Sequence, residues 1–359
     1  MSVKKIIKRI GLVLGFFGML ILAGAWKTYG PFVRAANSVK QLDQHFYYME
    51  FKGNTYLEEY LTHGGAASNQ ELAVYIENLL RGNNMKKLFK NEVPLNTGCA
   101  TISAKTADGK KVFGRNYDWS KDQFKCGLII KNTPKHGHGY KSISTCQLDF
   151  LGFGDNYKPD SFGNKYLATS GLFVTLDGMN EKGLCVSDLL AGDQEVTNQN
   201  TEKSDLTTTL ALRGILDFCA DVPEAIKFLE NYDMHSVIGY AHHFAISDPA
   251  GRSVVVEYLD NKMIVTEAAA VTNHYLAEGK VLDDVENSTI RLQALNNLLE
   301  EKEYFSEADI RDALNSIHAS SYGGKSKTWW SAVFNQHDLR VRYYLAENYD
   351  EEDSLTFKL

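Results

Sequence analysis

Three textures of apolar and polar positions divide the chain. An uncharged run from Ile10 to Ala25 follows Lys4, Lys5, Lys8 and Arg9. Nothing polar interrupts the run to give it an outer face, so it reads as a membrane-directed segment rather than an amphipathic surface helix. Residues 31–50 and 68–90 place apolar side chains at helical intervals (Val39, Leu42, Phe46; Leu72, Tyr75, Ile76, Leu79), with Asn69 as a cap before Glu71. That spacing predicts two helices. From Cys99 onward the interval shortens to that of strands. Cys99–Ala104 and Lys111–Tyr117 flank an Ala-Asp-Gly turn, a hairpin signature. Further strands are predicted over Gly127–Ile130, Tyr166–Thr169, Leu172–Leu176, Leu184–Ser187, His242–Ser247, Ser253–Tyr258 and Met263–Glu267. Helical blocks at Thr207–Leu229, Ser288–Tyr304 and Ser306–Ile317 interrupt them, and Trp329–Phe334 with Leu339–Tyr344 makes a last hairpin. Hairpins with segregated helices predict an α+β layered domain.

Composition narrows the class. The 359 residues are 44% apolar and 23% charged, with 28 Gly and 6 Pro, which excludes collagen-like, wholly disordered and polytopic membrane chains. The net charge of −7 is uneven: residues 1–98 carry 12 Lys/Arg against 7 Asp/Glu, leaving 26 against 38 in the other 261. A body at −12 argues against nucleic acid as a partner, because phosphate binding needs clustered cations. The cations that matter flank the uncharged run. It reads as a signal-anchor, with Trp26 and Tyr29 at the far interface, or as a cleaved signal ending at Ala23-Gly24-Ala25. Either way the body faces outward, membrane-anchored or secreted. Five cysteines, none in a C-x-x-C pair, leave at least one thiol unpaired.

The candidate chemistry starts at that thiol. Asn96-Thr97-Gly98-Cys99 leads the first strand of the hairpin, and its return brings Arg115 and Asp118 back beside Cys99. A thiol attacks only as thiolate, and a neighbouring guanidinium favours that form. A base is missing, since residues 64–135 contain no His. Cutting the chain before Cys99 would supply one, because a free α-amino group has a pKa near ~7.7–8. An uncut chain would need another. A buried structural cysteine at a strand start is the plain alternative. His136, His138, His242 and His243 lack Cys or carboxylate at ligand spacing, so they read as core or surface histidines and no metal is expected. Gly323-Gly324-Lys325-Ser326 lacks the first glycine of a phosphate loop, where Ala319 stands, and no nucleotide cofactor is expected. The acidic stretch Glu347–Asp353 reads as a solvated end.

Cys99 to Trp119 resembles the start of the linear amide C–N hydrolases, the choloylglycine hydrolase family of N-terminal-nucleophile enzymes. Further segments resemble that family in order: Asp177-Gly178-Met179-Asn180-Glu181-Lys182-Gly183-Leu184, the Asp248–Ser253 turn with Glu257, Ala270-Val271-Thr272-Asn273, and Ser288-Thr289-Ile290-Arg291. The resemblance implies a four-layer αββα sandwich over residues 99–359, a helical pro-segment over 27–98, and a signal or anchor over 1–26. It implies autoproteolysis at Gly98-Cys99, with Cys99 as nucleophile. Arg115 and Asp118 would bind and orient cysteine and substrate, Asn273 and the Leu190 backbone N–H would hold the oxyanion, and Arg291 would be the second arginine. Leu190 replaces the polar side chains that bile salt hydrolases and penicillin V acylases carry there, which makes the pocket edge apolar. The implied activity is hydrolysis of a small N-acyl amide without a cofactor, with the membrane surface as a partner through the N-terminal segment. Acyl transfer through the same acyl-enzyme, or a catalytically inactive membrane-tethered binding protein, are the alternatives. The oligomeric state, homo-oligomer included, is open.

Overall fold

The structure is a computed structural model that describes residues 24–80, 97–192, 196–278, 287–322 and 326–359. The front segment begins with helix α1 (24–38), then strands β1 (Lys40–Gln41) and β2 (Phe46–Gly53) and helices α2 (Leu57–Thr62) and α3 (Asn69–Leu80). The body continues with β3 (Gly98–Lys105), β4 (Lys111–Ser120), β5 (Gly127–Pro134), β6 (Ser142–Gln147), α4 (Phe162–Ala168), β7 (Asp177–Asn180) and β8 (Cys185–Gly192). After these come β9 (Ser204–Thr207), α5 (Thr208–Phe218), α6 (Val222–Leu229), β10 (Tyr232–His235), β11 (Ala241–Ser247), β12 (Ser253–Leu259), β13 (Lys262–Glu267) and β14 (Ala270–Val271). The chain closes with α7 (Ser288–Glu301), α8 (Glu307–Ser316), β15 (Ser326–Asn335), β16 (Arg340–Leu345) and β17 (Leu355–Lys358).

Two large sheets result. Nine strands run in the order β1-β2-β5-β6-β7-β8-β11-β12-β13, and six in the order β14-β3-β4-β15-β16-β17, while β9 and β10 pair in parallel alongside. Between the large sheets lies an aromatic-rich core that includes Cys99, Tyr117, Ile143, Met179, Leu189, Trp330 and Tyr343. A second core packs α5, α6 and the front helices on the far side of the nine-stranded sheet, and a third packs α7 and α8 on the six-stranded one. Burial on both faces explains why many strands read as unbroken apolar runs. Every residue of β8 is buried.

The front segment is not wholly helical. The helix expected over 31–50 stops at residue 38, and Phe46–Gly53 pairs in parallel with β5 inside the large sheet. Phe46 and Tyr48 face the inter-sheet core, while Tyr47, Met49 and Phe51 face the outer one. That two-residue alternation in an aromatic stretch favours strand. In the expected 68–90 helix the cap is Ser68 rather than Asn69: its hydroxyl accepts from the Glu71 N–H at 3.3 Å, and the Glu71 carboxylate accepts from Ala67 at 2.8 Å. Residues 81–96 lie outside the described residues, as does the uncharged run up to residue 23. Among the described residues no helix is long and apolar enough to cross a membrane.

Other expectations change locally. Tyr166–Thr169 lies in α4 and its end, capped by Ser161, and Thr169–Phe173 forms a 3-10 turn instead of a strand. Short buried apolar runs do not reveal their period. The block at Thr207–Leu229 splits at Asp221, which caps α6 ahead of Pro223. The acidic stretch is not simply solvated: Glu351 accepts from Tyr344 at 2.7 Å and from Arg311 at 2.8 Å, and Glu347 accepts from the Thr328 N–H at 3.0 Å. Gly183, with φ of +79°, turns β7 into β8 where a Cβ would collide with the Gln336 carbonyl. Asn180 fixes the same turn, accepting from the Lys182 and Leu184 N–H groups at 3.0 and 3.2 Å.

Candidate active site

The β3–β4 register sets the site. Gly98 pairs with Asp118, Cys99 with Tyr117 and Thr101 with Arg115. Side chains alternate along each strand, so Cys99, Tyr117 and Arg115 share the inter-sheet face while Asp118 faces outward toward α7. The expected neighbours of Cys99 are therefore gathered on both sides of its backbone.

The outward side is a closed polar network. The Cys99 N–H donates to Asn273 Oδ1 at 2.5 Å, and Arg291 from α7 donates to the Cys99 carbonyl and to Asn273 Oδ1, both at 2.9 Å. Arg291 also lies 3.8 Å from Asp118, whose other oxygen accepts from Thr328 Oγ1 at 2.5 Å. Burial raises the Asp118 carboxyl above its ordinary value against the pull of Arg291, Thr328 and Arg115. Ser288 completes the frame by accepting from the Asn273 N–H at 2.6 Å. The Ser288 and Arg291 pair thus positions one asparagine from both ends, backbone and side chain.

Gly98 is required here for a reason the sequence did not supply. A Cβ on Gly98 would lie 2.7 Å from Asp118 Oδ2, and that oxygen cannot retreat while Thr328 and Arg291 hold its carboxylate. Gly98→Ala is expected to destabilise the fold by about 1–3 kcal/mol, as overpacking does. A lower urea midpoint checks it.

The inward side holds the thiol. Cys99 is buried and lines a small cavity with Thr97, Tyr117, Trp119, Leu190 and His242, among others. Burial pushes the thiol up to about 11, although Arg115 and the Asp118 backbone N–H pull it down. The guanidinium therefore does not by itself give a thiolate at neutral pH. Arg115 donates from Nη2 to the Asp188 carbonyl at 2.7 Å, and its Nε lies 3.5 Å from Asp177, which Trp330 Nε1 also contacts at 2.7 Å. Asn273 Nδ2 donates to the Leu190 carbonyl at 2.9 Å. That bond brings the two expected oxyanion groups together. An irregular register between β8 and β11 at Ala241/His242 places Leu190 at a local kink, where backbone groups are re-aimed.

Two histidines read from sequence as lacking acidic partners have them. His242 Nδ1 lies 2.8 and 3.0 Å from the Asp188 oxygens, and His243 Nδ1 lies 3.2 Å from Glu257 Oε1. Strand pairing supplies both: β11 lies between β8, which carries Asp188, and β12, which carries Glu257. No linear spacing carried that signal. Asp177, Asp188, His242, Ser288 and Thr328 are the site residues that sequence reasoning did not assign. All five cysteines are buried and unpaired. Among the described residues no cluster could hold a metal ion.

A mixed α/β fold of two facing sheets, with a buried cysteine at the start of a strand, defines the class. Residues 105–350 match the acyl-coenzyme A:6-aminopenicillanic acid acyl-transferase family, and the chain belongs to it, among the choloylglycine hydrolase relatives of the N-terminal-nucleophile fold. The match begins six residues beyond Cys99. A penicillin V acylase from Pectobacterium atrosepticum is 30% identical over 105 residues, 26% of this chain and 28% of that protein. The chain thus matches little more than a quarter of that relative's length. The fold is similar to that of a mutant conjugated bile acid hydrolase from Clostridium perfringens, with a TM-score of 0.51 at 17% identity over 73% of this chain and 92% of that one. A penicillin V acylase from Agrobacterium tumefaciens aligns with a TM-score of 0.42 at 16% identity, over 69% and 83% of the two chains.

Proposed function

We propose that this protein hydrolyses a linear amide C–N bond with Cys99 as an N-terminal nucleophile, after the chain cuts itself between Gly98 and Cys99. The observation that carries the reading is the cradle around the Cys99 nitrogen. Asn273 Oδ1 accepts from it at 2.5 Å while Arg291 holds that same oxygen at 2.9 Å. Cutting would turn this amide nitrogen into an α-amine already seated beside its own thiol. The amine would accept the thiol proton, the thiolate would attack the substrate carbonyl, and the protonated amine would return the proton to the leaving nitrogen. Water would then release the acyl group. Asn273 and the Leu190 N–H would stabilise the oxyanion, and Arg115 would orient cysteine and substrate.

The lining supports an apolar acyl group. Leu176, Leu189, Leu190, Val237 and Ile238 face the Cys99 cavity, and a larger one of about 330 Å³ shares Trp119 and Phe150 with it while presenting Asp122, Lys125 and Asp155. The first, with a volume of about 20 Å³, would seat only the carbonyl end of an apolar acyl group at the thiol, and the larger second would take the rest of the substrate. Integration of β2 into the large sheet would keep the front segment docked after cleavage. Residues 1–26 would hold the body at the outward face of the membrane as an anchor, or direct its secretion if cleaved, on the strength of their cations and uncharged run alone. Acyl transfer to an amine acceptor is the second reading, favoured by the description of the matching family.

The test is turnover of fluorogenic N-acyl amides with a search for an acyl adduct on the Cys99 peptide by mass spectrometry. Release of amine with the adduct on Cys99 supports the proposal; no turnover across bile salt, penicillin, N-acyl amino acid and fatty ethanolamide substrates contradicts it. An added amine acceptor separates hydrolysis from transfer. Asn273→Ala is expected to lower kcat by about 10²–10³-fold, the effect of losing one oxyanion donor. Steady-state kinetics on the cut variant check it.

A further inference from the structure

The helix that follows the uncharged run is built into the protein body. Phe32, Ala35 and Ala36 of α1 are fully buried. Gly53 at the end of β2 leaves room for the same helix, since a Cβ there would lie 2.5 Å from Pro31 Cβ. The start of α1, where the run ends at Ala25, is therefore held at a set place on the surface.

Cations gather there from several elements. An open cavity of about 750 Å³ is lined by Lys27 and Arg34 from α1, Lys52 from β2, and Lys135 and His138 from the turn after β5, with Glu59 as its one carboxylate. Lys52 pairs with Glu50 at 2.8 Å. Lys27, Arg34 and Lys135 are exposed and form no ion pair among the described residues. Three unpaired cations around one cavity stand against a body, residues 99–359, that carries −12. An acidic body is repelled by an anionic surface as a whole, so this cavity marks the side on which it could approach one.

The aromatic side chains beside the cations identify the kind of surface. Trp26, at the rim of the cavity, is 58% exposed, the most of any large apolar side chain among the described residues. Glycine inside a helix costs stability, and Gly30 has a use for its bareness: a Cβ there would meet Trp26 Cε2 at 3.1 Å and Arg34 Nη1 at 3.2 Å. The indole and the guanidinium thus share one patch of α1. An adjoining cavity, which has Thr28, Tyr56 and Glu59 in common with the first, adds Tyr29, Tyr60 and Tyr75. Tryptophan and tyrosine collect at membrane–water interfaces, and lysine and arginine there are drawn to anionic headgroups.

We propose that the cavity between α1, β2 and the turn after β5 binds the phosphate headgroup of an anionic lipid and so lays this face of the body on the bilayer. Arg34, Lys27 and Lys135 would hold the phosphate, and Trp26 would lie against the glycerol and the first carbons of the acyl chains. The volume suits such a group, since ligand sites commonly measure about 300–1,000 Å³. A free phosphate would use the cations alone. The exposed indole at the rim, directly after the uncharged run, favours the lipid as its source. The site stands whether or not that run is retained, and it does not depend on the amide chemistry.

The experiment uses the full chain in a neutral detergent, with native mass spectrometry reading the lipid retained from added phosphatidylglycerol or phosphatidylcholine. The wild type is expected to retain phosphatidylglycerol in preference, and less of it as salt rises. Arg34→Gln combined with Lys135→Gln is expected to lower the phosphatidylglycerol affinity by about 30-fold, about fivefold for each cation, and to leave phosphatidylcholine retention and amide turnover unchanged. Both side chains are exposed, so the variant tests charge rather than folding. Equal retention of the two lipids by the wild type, or equal retention of phosphatidylglycerol by wild type and variant, overturns the proposal. Glycerol 3-phosphate, which carries the phosphate without acyl chains, is expected not to displace the lipid at equal concentration; displacement would make this a site for soluble phosphates and overturn the lipid assignment. Lipid retention is read equally well in a chain without amide turnover, so the two readings fail separately.

Discussion

Cys99→Ala is expected to leave the chain uncut and to remove acyl-amide turnover, a loss on the order of 10⁶-fold if it behaves as nucleophile deletions do. The argument is geometric. The substitution removes only a sulfur, already buried at a strand start, so stability changes little and a loss of activity cannot be assigned to unfolding. The Asn273 and Arg291 contacts involve the backbone of residue 99 and survive it. The readouts are the size of the purified chain and the rate of amine release. Turnover retained in an uncut alanine variant would remove Cys99 from the mechanism and return it to the role of a packed core residue.

The second large effect is expected at Arg291. Its head group bonds to the Cys99 carbonyl and Asn273 Oδ1 and lies near Asp118, all within the protein interior. Arg291→Met keeps much of the side-chain volume and leaves Asp118 without its nearest countercharge. Breaking a buried pair from one side typically costs about 3–5 kcal/mol, and a fall of that size is expected in urea unfolding. Activity is expected to fall too, since Asn273 loses one of the two donors that hold its side-chain oxygen. Arg291→Lys is not expected to restore both, because one ammonium does not reproduce the planar guanidinium fork. An unchanged unfolding midpoint would mean that Arg291 carries no share of the network and that Ser288, the Cys99 N–H and the Leu190 carbonyl suffice to hold Asn273.

The parts legible from sequence were those written in consecutive residues. The Ala-Asp-Gly turn gave the β3–β4 hairpin, and the hairpin register then placed Arg115 and Asp118 around Cys99. Asn273 and Arg291, eighteen residues apart, were found through family likeness and do share a hydrogen bond. What was missed depends on which strands become neighbours. Phe46–Met49 is fully buried, so its helix-like apolar spacing could not be told from a strand packed on both faces. His242 meets Asp188 only because β11 lies against β8, across 54 positions of chain. Nothing in the linear sequence shows why residue 98 is glycine; the Asp118 carboxylate from the paired strand occupies the space a side chain would need. The thiol pKa was expected to follow Arg115, but burial outweighs that charge. A neighbouring cation is visible in a motif; desolvation is a property of the packed whole.

The most direct test of the central claim is the N-terminal sequence and intact mass of the purified full chain. A fragment beginning at Cys99, together with its partner ending at Gly98, is the predicted result. A single chain still continuous through Gly98-Cys99 in an active preparation would contradict it, because the amide nitrogen would then remain blocked and the base would have to be permanent.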